Sequence, residues 1–592
     1  MRSMKLLLQL IVVFCLLAMP AFAAYHHEGE EDADKFLAAY PDKANTKLDH
    51  CALCHSGGSY ESKPGKYATL GSCQWCHYAY GYDGSGNIVE TLNSYGKDYY
   101  TNGRSQAAVS AINDMDSDGD GYTNAQEIAA ERFPGDATDD PSKTTPPYRI
   151  YTREQIETMD LHTQFMLMNT SRSGDYYAQY TGVPLKNLLD ASGILSSATG
   201  ITVFAPDGWS QYHPLQYTED AELYHVYGDV VDQAYQYPSS LYYYTQEAEN
   251  WCDYSSPYCI GRNNNDPIAV DNGLKAILAI KVDGNYLETG VLNDENKLDG
   301  DGPFRIVVPQ KNPGPPDQSS KSDDQDVIWP YVESWDHNAG ACTRSATIIR
   351  VEPLPEGTTD LDIYEDGWNY VDAGKIIIYG AINGTDSNGN GVLDSEECTD
   401  KTSDYDQDGI PDYRDTDTAR FKPVAGTGNM MLHASLGTLS GIRSLKDTDG
   451  DLSQENKPDM AFPYGVTRCE IAGLSSGASI TMTLVFPENV KTDAACYHVD
   501  STGWRQVTFG SNDGDNIITL TLTDGDTLTD GDGVADGHIL NAAALVVADE
   551  ESSDSDDDGL CFVSELSSCI VPTWGWLIAA FGFFGVISRY RR

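Results

Sequence analysis

The sequence predicts a multidomain chain: a small α-helical module, an α+β domain, a connector of acidic loops, a β-sandwich and a C-terminal apolar helix. Three observations carry that reading. At 592 residues the chain exceeds what one hydrophobic core can organise. Its apolar pattern changes along its length, from short helical runs before residue 141, to strands mixed with short helices up to about 353, to period-two β-branched strands after 422. At 116–127 and 384–420, Asp or Asn recurs at alternate positions beside Gly, a pattern that closes into tight oxygen-lined turns. Lys and Arg number 38 against 90 Asp and Glu, and the resulting charge of -52 disfavours nucleic acid and favours divalent cations as partners.

Residues 1–23 combine a basic start (Arg2, Lys5), an apolar run over 6–19 and Ala21-Phe22-Ala23. That pattern reads as a cleavable export signal, with the mature chain starting near Ala24.

The module at 24–141 is organised around Cys51-Ala-Leu-Cys54-His55 and Cys73-Gln-Trp-Cys76-His77. In each pentapeptide two thiols lie one turn apart, able to form thioethers with the two vinyl groups of a haem, and the adjacent imidazole reaches the iron from the same side. The pair points to two covalent c-type haems on Cys51, Cys54, Cys73 and Cys76, with His55 and His77 as proximal ligands. A zinc site or two disulfides would use the same cysteines. His26, His27 and His50 are the remaining histidines of the module and the candidates for the distal positions, with Met115 a further one. Haem attachment of this kind takes place outside the cytoplasm in bacteria, in agreement with an export signal.

Asp116-Ser-Asp118-Gly-Asp120-Gly121-Tyr122-Thr-Asn124-Ala-Gln-Glu127 fits the EF-hand-like pattern D-x-D-x-D-G-x5-E. Carboxylates of Asp116, Asp118 and Asp120, the Tyr122 carbonyl and a bidentate Glu127 would surround calcium, between helices over 105–113 and 125–132. With Leu92-Asn-Ser-Tyr-Gly96 and Phe133-Pro-Gly-Asp136, the stretch 48–141 resembles the small cytochrome-plus-calcium-loop modules of exported proteins from metal-reducing and related anaerobic bacteria.

After a Pro-rich linker at 142–147, the region 148–353 mixes strands (165–168, 201–205, 304–309) with a helix over 183–192. TGVPLKNLLDASGI, ITVFAPDGW and DGPFRIVVP resemble the molybdopterin-binding domain of sulfite-oxidase-type enzymes. In that family a cysteine just before the GVPL-like segment ligates molybdenum, and 166–180 contains none. The resemblance therefore implies a scaffold without molybdopterin, because the soft thiolate is missing at its place. Cys252 and Cys259, in a Tyr-rich insertion, are expected to form a local disulfide.

Two further loops follow at 384–420. The first offers Asp386, Asn388, Asn390, the Val392 carbonyl, Asp394 and Glu397; the second offers Asp404, Asp406, Asp408, the Ile410 carbonyl, Asp412 and Asp415. The second resembles a thrombospondin type 3 repeat. Both are expected to bind calcium and stiffen a connector that has almost no apolar core of its own.

Alternating strands at 479–486, 504–509, 517–522 and 544–547 predict a β-sandwich over 422–549. FPYGVTRCEIAGLSSGASITMTLVFPENV and LTLTDGDTLTDGDGVADGHI resemble the choice-of-anchor domains of bacterial surface proteins. Cys469 and Cys496 are candidates for a bond across the sandwich. Asp530, Asp532 and Asp536 fit either another calcium site or a solvated hairpin. An acidic linker at 550–569 precedes 570–592, where an apolar stretch ending in Arg589, Arg591 and Arg592 is long enough for one transmembrane helix. Cys561, Cys569, the apolar stretch and the basic end also resemble the tripartite sorting tails of Gram-negative surface proteins.

The sequence thus leads to an exported, envelope-anchored dihaem c-type cytochrome in the periplasm or at the cell surface. It would pass electrons between redox partner proteins or to an extracellular acceptor, with calcium-stabilised modules. The alternatives are a sulfite-oxidase-like molybdoenzyme with a fused cytochrome, and a calcium-dependent surface adhesion protein.

Overall fold

A computed structural model describes residues 31–44, 46–49, 51–63, 66–69, 88–171, 174–205, 209–220, 223–227, 237, 240–245, 252–292, 298–317, 332, 334–360, 363, 367–397 and 400–547. The export signal, His26, His27, His50, the second pentapeptide (Cys73, Cys76, His77), the linker at 550–569 and the tail at 570–592 lie outside the described residues. Among the described residues no helix is long and apolar enough to cross a membrane.

Short helices build the first module: α1 (Glu31–Ala39), α2 (Ala52–His55), α3 (Ser94–Thr101), α4 (Gln106–Ala111) and α5 (Asn124–Ala129), with a hairpin of β1 (Ser59–Lys63) and β2 (Lys66–Thr69). Each helix is too short to persist alone and depends on tertiary packing. Phe36, Leu48, Leu53, Tyr95, Ile112, Ile128 and Phe133 form a common small core. The two helices expected around the first acidic loop are present as α4 and α5.

The middle domain has two five-stranded sheets. The first joins β4 (His162–Met168), β5 (Tyr176–Pro184), β10 (Ile277–Val282), β11 (Asn285–Tyr286) and β14 (Arg305–Val307), with β10 paired to β5, β11 and β14. The second has the order β3-β16-β15-β6-β7, built from β3 (Tyr148–Thr152), β6 (Gly200–Phe204), β7 (Ser210–Pro214), β15 (Ile348–Glu352) and β16 (Lys375–Gly380). Here β15 and β16 run parallel. Residues from both sheets share one core with α7 (Leu185–Ala191), which follows α6 (Arg153–Glu157). Leu185, Leu188 and Leu189 are its buried residues, the i, i+3, i+4 face that makes this stretch a helix once Pro184 ends the preceding strand. The short pairs β8 (Ser240–Tyr243) with β9 (Asp266–Ala269), and β12 (Val291–Leu292) with β13 (Leu298–Asp299), complete the region. Because β16 pairs with both β3 and β15, the sheet draws in residues beyond 353, and α8 (Gly367–Asp372) is the segment between.

The last region is a sandwich. One sheet is β17 (Thr418–Phe421), β18 (Met430–Ala434), β21 (Ser479–Val485) and β24 (Ile517–Thr523); the other is β19 (Thr438–Leu445), β20 (Val466–Ala472), β25 (Ile539–Val546), β22 (Ala495–Asp500) and β23 (Gly503–Val507), in that order. Register follows hydrophobic alternation: Ile480, Met482 and Leu484 stand opposite Leu522, Leu520 and Ile518, all buried, while Ser479 and Thr481 face solvent.

Neither the expected Cys252–Cys259 disulfide nor the candidate bond between Cys469 and Cys496 is formed. Cys469 and Cys496 lie in the same sheet, opposite Asn541 and Leu545 on the two sides of β25, so a whole strand separates them. Burial pushes each of these thiols up to about 12. Cys252 and Cys259 are likewise buried thiols, and the Cys252 Sγ donates to the Asp253 carbonyl at 3.8 Å.

Ile349 is fully buried on β15, between β16 and β6. Ile349→Ala is expected to lower stability by about 2–5 kcal/mol in urea unfolding through cavity formation, with an unchanged urea dependence.

Candidate haem and cation sites

The first pentapeptide is held through its backbone carbonyls. Asn93 is the hub: its backbone N–H donates to the Cys54 carbonyl at 2.8 Å, and its side-chain amide donates to the carbonyls of Leu53 at 2.9 Å and Ser56 at 2.8 Å. Its Oδ1 accepts from Gly96 N–H at 2.7 Å and caps α3, a common use of Asn. Gly96 lets α3 close on α2, since a Cβ there would meet the Cys54 carbonyl. Gly135 packs against the Asn93 side chain in the same way. Elsewhere in the module buried Asp139 accepts from Lys47 at 2.8 Å, Arg132 at 3.1 Å and Phe133 N–H at 2.9 Å.

His55 is 6% exposed, and its Nδ1 lies 2.8 Å from Thr91 Oγ1. Burial drives its pKa down to about 4, so the ring is neutral at pH 7. With the proton on Nδ1 donated to Thr91, the Nε2 carries the lone pair, the form a metal needs. Burial pushes the Cys54 thiol up to about 12. Tyr95 Oη is buried in the same core with no hydrogen-bond partner. Two thiols in one turn with an oriented neutral imidazole fit covalent haem attachment. Met115 is exposed at the edge of the first acidic loop.

Loop 1 (116–127), loop 2 (386–397) and loop 3 (404–415) share one hydrogen-bond register. At position 1, Asp116, Asp386 and Asp404 each accept at 2.8 Å from the N–H of position 4, and at 3.1, 3.0 and 3.1 Å from position 6. The side chains at position 3 accept from position 5, and those at position 5 from position 7. At position 9, Asn124, Asp394 and Asp412 accept from the N–H of position 2. Position 6 is Gly121, Gly391 and Gly409, with φ of +103°, +98° and +97°, which only glycine adopts without strain. These bonds turn the side-chain oxygens of positions 1, 3 and 5 inward. In loops 1 and 3 one oxygen of each lies within 4.8 Å of the others.

The closing residues differ. Glu127 is fully buried with no partner on either oxygen, and Asp118 and Asp120 each also hold a buried Oδ2 without one. Glu397 accepts on Oε1 from Asn390 Nδ2 at 2.8 Å and from Arg420 N–H at 3.2 Å, and its Oε2 has no partner. Asp415 accepts from Asp417 N–H at 3.2 Å. Burial pushes Glu127 up to about 9, helped by repulsion from Asp118 and Asp120, and Asp118 up to about 7. It also raises Glu397 to about 8 and Asp415 to about 7. Carboxylates so placed need protons or a bound cation.

Of the later acidic group, Asp530 accepts from Gly525 and Leu540 N–H at 2.9 and 3.1 Å, while Asp532 and Asp536 approach His538. Sequence spacing missed Asp417 and His433, which come within 4.8 Å of Asp406. His433 reaches them through the pairing of β17 with β18, a contact with no local sequence signal.

In the segment 166–180, where the family resemblance would place a molybdenum thiolate, buried Asp175 accepts from Thr170 N–H and Asp317 N–H, both at 2.8 Å. The buried thiol of Cys342 lies elsewhere; it donates to the Asn338 carbonyl at 3.3 Å and accepts from Val308 N–H at 3.4 Å. No protein-family model matches the chain, and no curated protein matches it.

Asn93→Ala should destabilise the first module by about 2–4 kcal/mol, since two buried carbonyls and a helix cap lose their partner; urea unfolding followed by circular dichroism measures it. Glu127 ionises at about 9 in the fold against an ordinary 4.5, so without calcium its contribution to stability falls as pH rises through that window. Calcium should therefore raise the melting temperature more at pH 8 than at pH 5 and release protons on binding. Glu127→Gln should reduce both effects and leave the share due to Glu397 and Asp415.

Proposed function

We propose that the chain is an exported, envelope-anchored dihaem c-type cytochrome that transfers electrons, with calcium in its acidic loops stabilising the modules. The observation that carries the reading is the clamp around the first pentapeptide. Asn93 fixes the turn that bears Cys51 and Cys54, and Thr91 orients a neutral, buried His55. A haem bound there would supply reversible one-electron chemistry. The protein's own part is to hold two thiols and one imidazole nitrogen at fixed places and to keep that nitrogen unprotonated. Cys73, Cys76 and His77 would repeat the arrangement for a second haem.

Calcium is supported by the unpartnered buried oxygens of Asp118, Asp120, Glu127 and Glu397. In the middle domain, the carboxylate network at Asp175 and the engaged thiol of Cys342 favour a scaffold over a molybdenum centre. Donor and acceptor are redox partner proteins or an extracellular acceptor. The tail at 570–592 would anchor the chain at the membrane or direct it to the cell surface.

Redox titration of the purified soluble protein is expected to show two reversible one-electron haem transitions and no reduction by sulfite. Thr91→Val weakens the second-shell support of His55 and should raise the potential of one haem only. Haem reduction by sulfite with stoichiometric molybdenum, or zinc in place of iron, would overturn the proposal.

A further inference from the structure

Loop 2 differs from its two congruent partners in where it sits. Its first residue extends the edge of the middle domain: Ile150 N–H donates to the Asp386 carbonyl at 3.2 Å and Asp386 N–H to the Tyr148 carbonyl at 3.0 Å. On the other side Ile442 N–H of β19 donates to the Asn390 carbonyl at 3.0 Å, and Val392 packs into the sandwich core. Gln155 ties both sides together, its Nε2 donating to the carbonyls of Asn388 at 2.7 Å and Leu439 at 2.9 Å. As a result Asp386, Asn388, Asn390 and Glu397 are all 0–2% exposed, whereas Asp116, Asp406 and Asp408 are exposed.

Burial constrains charge. A divalent cation taken out of water needs ligands whose charge matches it, since excess carboxylates would repel one another without solvent screening. Loops 1 and 3 carry carboxylates at positions 1, 3, 5 and 12. Loop 2 has neutral Asn388 and Asn390 at positions 3 and 5, leaving Asp386 and Glu397 as the direct anionic ligands. Their two charges balance one calcium ion. Of the two remaining carboxylates Glu396 is exposed, and Asp394 is held by Ser387 N–H and Oγ, both at 2.7 Å. Arg149, whose Nη1 lies 2.9 Å from Asp386 Oδ2, adds one positive charge, so that Asp386, Glu397 and Asp394 together face three, one from the arginine and two from the cation. Glu397 Oε2 remains buried and without a partner beside this set.

We propose that loop 2 encloses one calcium ion between the middle domain and the sandwich as a non-exchanging joint, while ions in loops 1 and 3 exchange with solvent. The inference rests on the calcium reading of the loops. Release from loop 2 would then require the domains to part, since its ligand side chains are buried between them.

The test is a calcium count per chain by elemental mass spectrometry, on protein loaded with calcium and then held in EDTA for increasing times. One ion should remain after the others have left, released at least about tenfold more slowly. Glu397→Gln should lose that slow ion, and Gln155→Ala, which leaves every ligand in place, should hasten its release. Loss of all ions in one fast phase, or a slow ion retained by Glu397→Gln, would overturn the joint. If Glu397→Gln does not fold, an unchanged release rate in Gln155→Ala overturns it. A chain that takes up no calcium at all fails the calcium reading itself, and the joint with it.

Discussion

Carboxylates forced into close turns are the constraint on which the three acidic loops of this chain depend. Loops 1, 2 and 3 use one set of side-chain to backbone hydrogen bonds to turn oxygens inward, and that geometry concentrates negative charge in a chain already at -52. Without a positive charge inside, the fold must hold protons on groups such as Glu127 and Glu397 far above their ordinary range. A divalent cation removes that conflict and gives the same turns a reason to exist. Arg149 and Lys47 show the same rule solved within the chain, each paired with a fully buried aspartate.

The rest of the first module solves a different problem by similar means. A stretch with few apolar residues cannot build a large core, so polar anchors set its shape. Asn93 collects two carbonyls and a helix N-terminus, and Asp139 collects Lys47, Arg132 and a backbone N–H. The Asn93 bonds fix the turn carrying Cys54 and His55, and the proposed haem would sit on a held rather than a loose backbone.

Much of this was legible in the sequence where the signal is local. Alternation at 479–486 and 517–522 located two paired strands of the sandwich, the Leu spacing after Pro184 located α7, and the Asp-Gly spacing located all three loops. What was not legible is non-local. Nothing at 375–380 announces that it pairs with β3 and β15, and nothing in 386–397 except two Asn residues hints that Asp386, Asn388 and Asn390 are buried while Asp116, Asp406 and Asp408 are exposed. The connector expected to lack a core is instead tied to both neighbours through Gln155 and Val392. Cysteine pairing failed for the same reason, since strand order in the sheet, not sequence distance, keeps Cys469 from Cys496.

The central claim is that Cys51, Cys54, Cys73 and Cys76 carry two haems through thioether bonds. Intact-mass measurement of the chain exported from a haem-attaching host, taken under denaturing conditions, tests it most directly. A mass increase equal to two haems that survives denaturation is the expected result, and a chain without added haem mass would contradict the account.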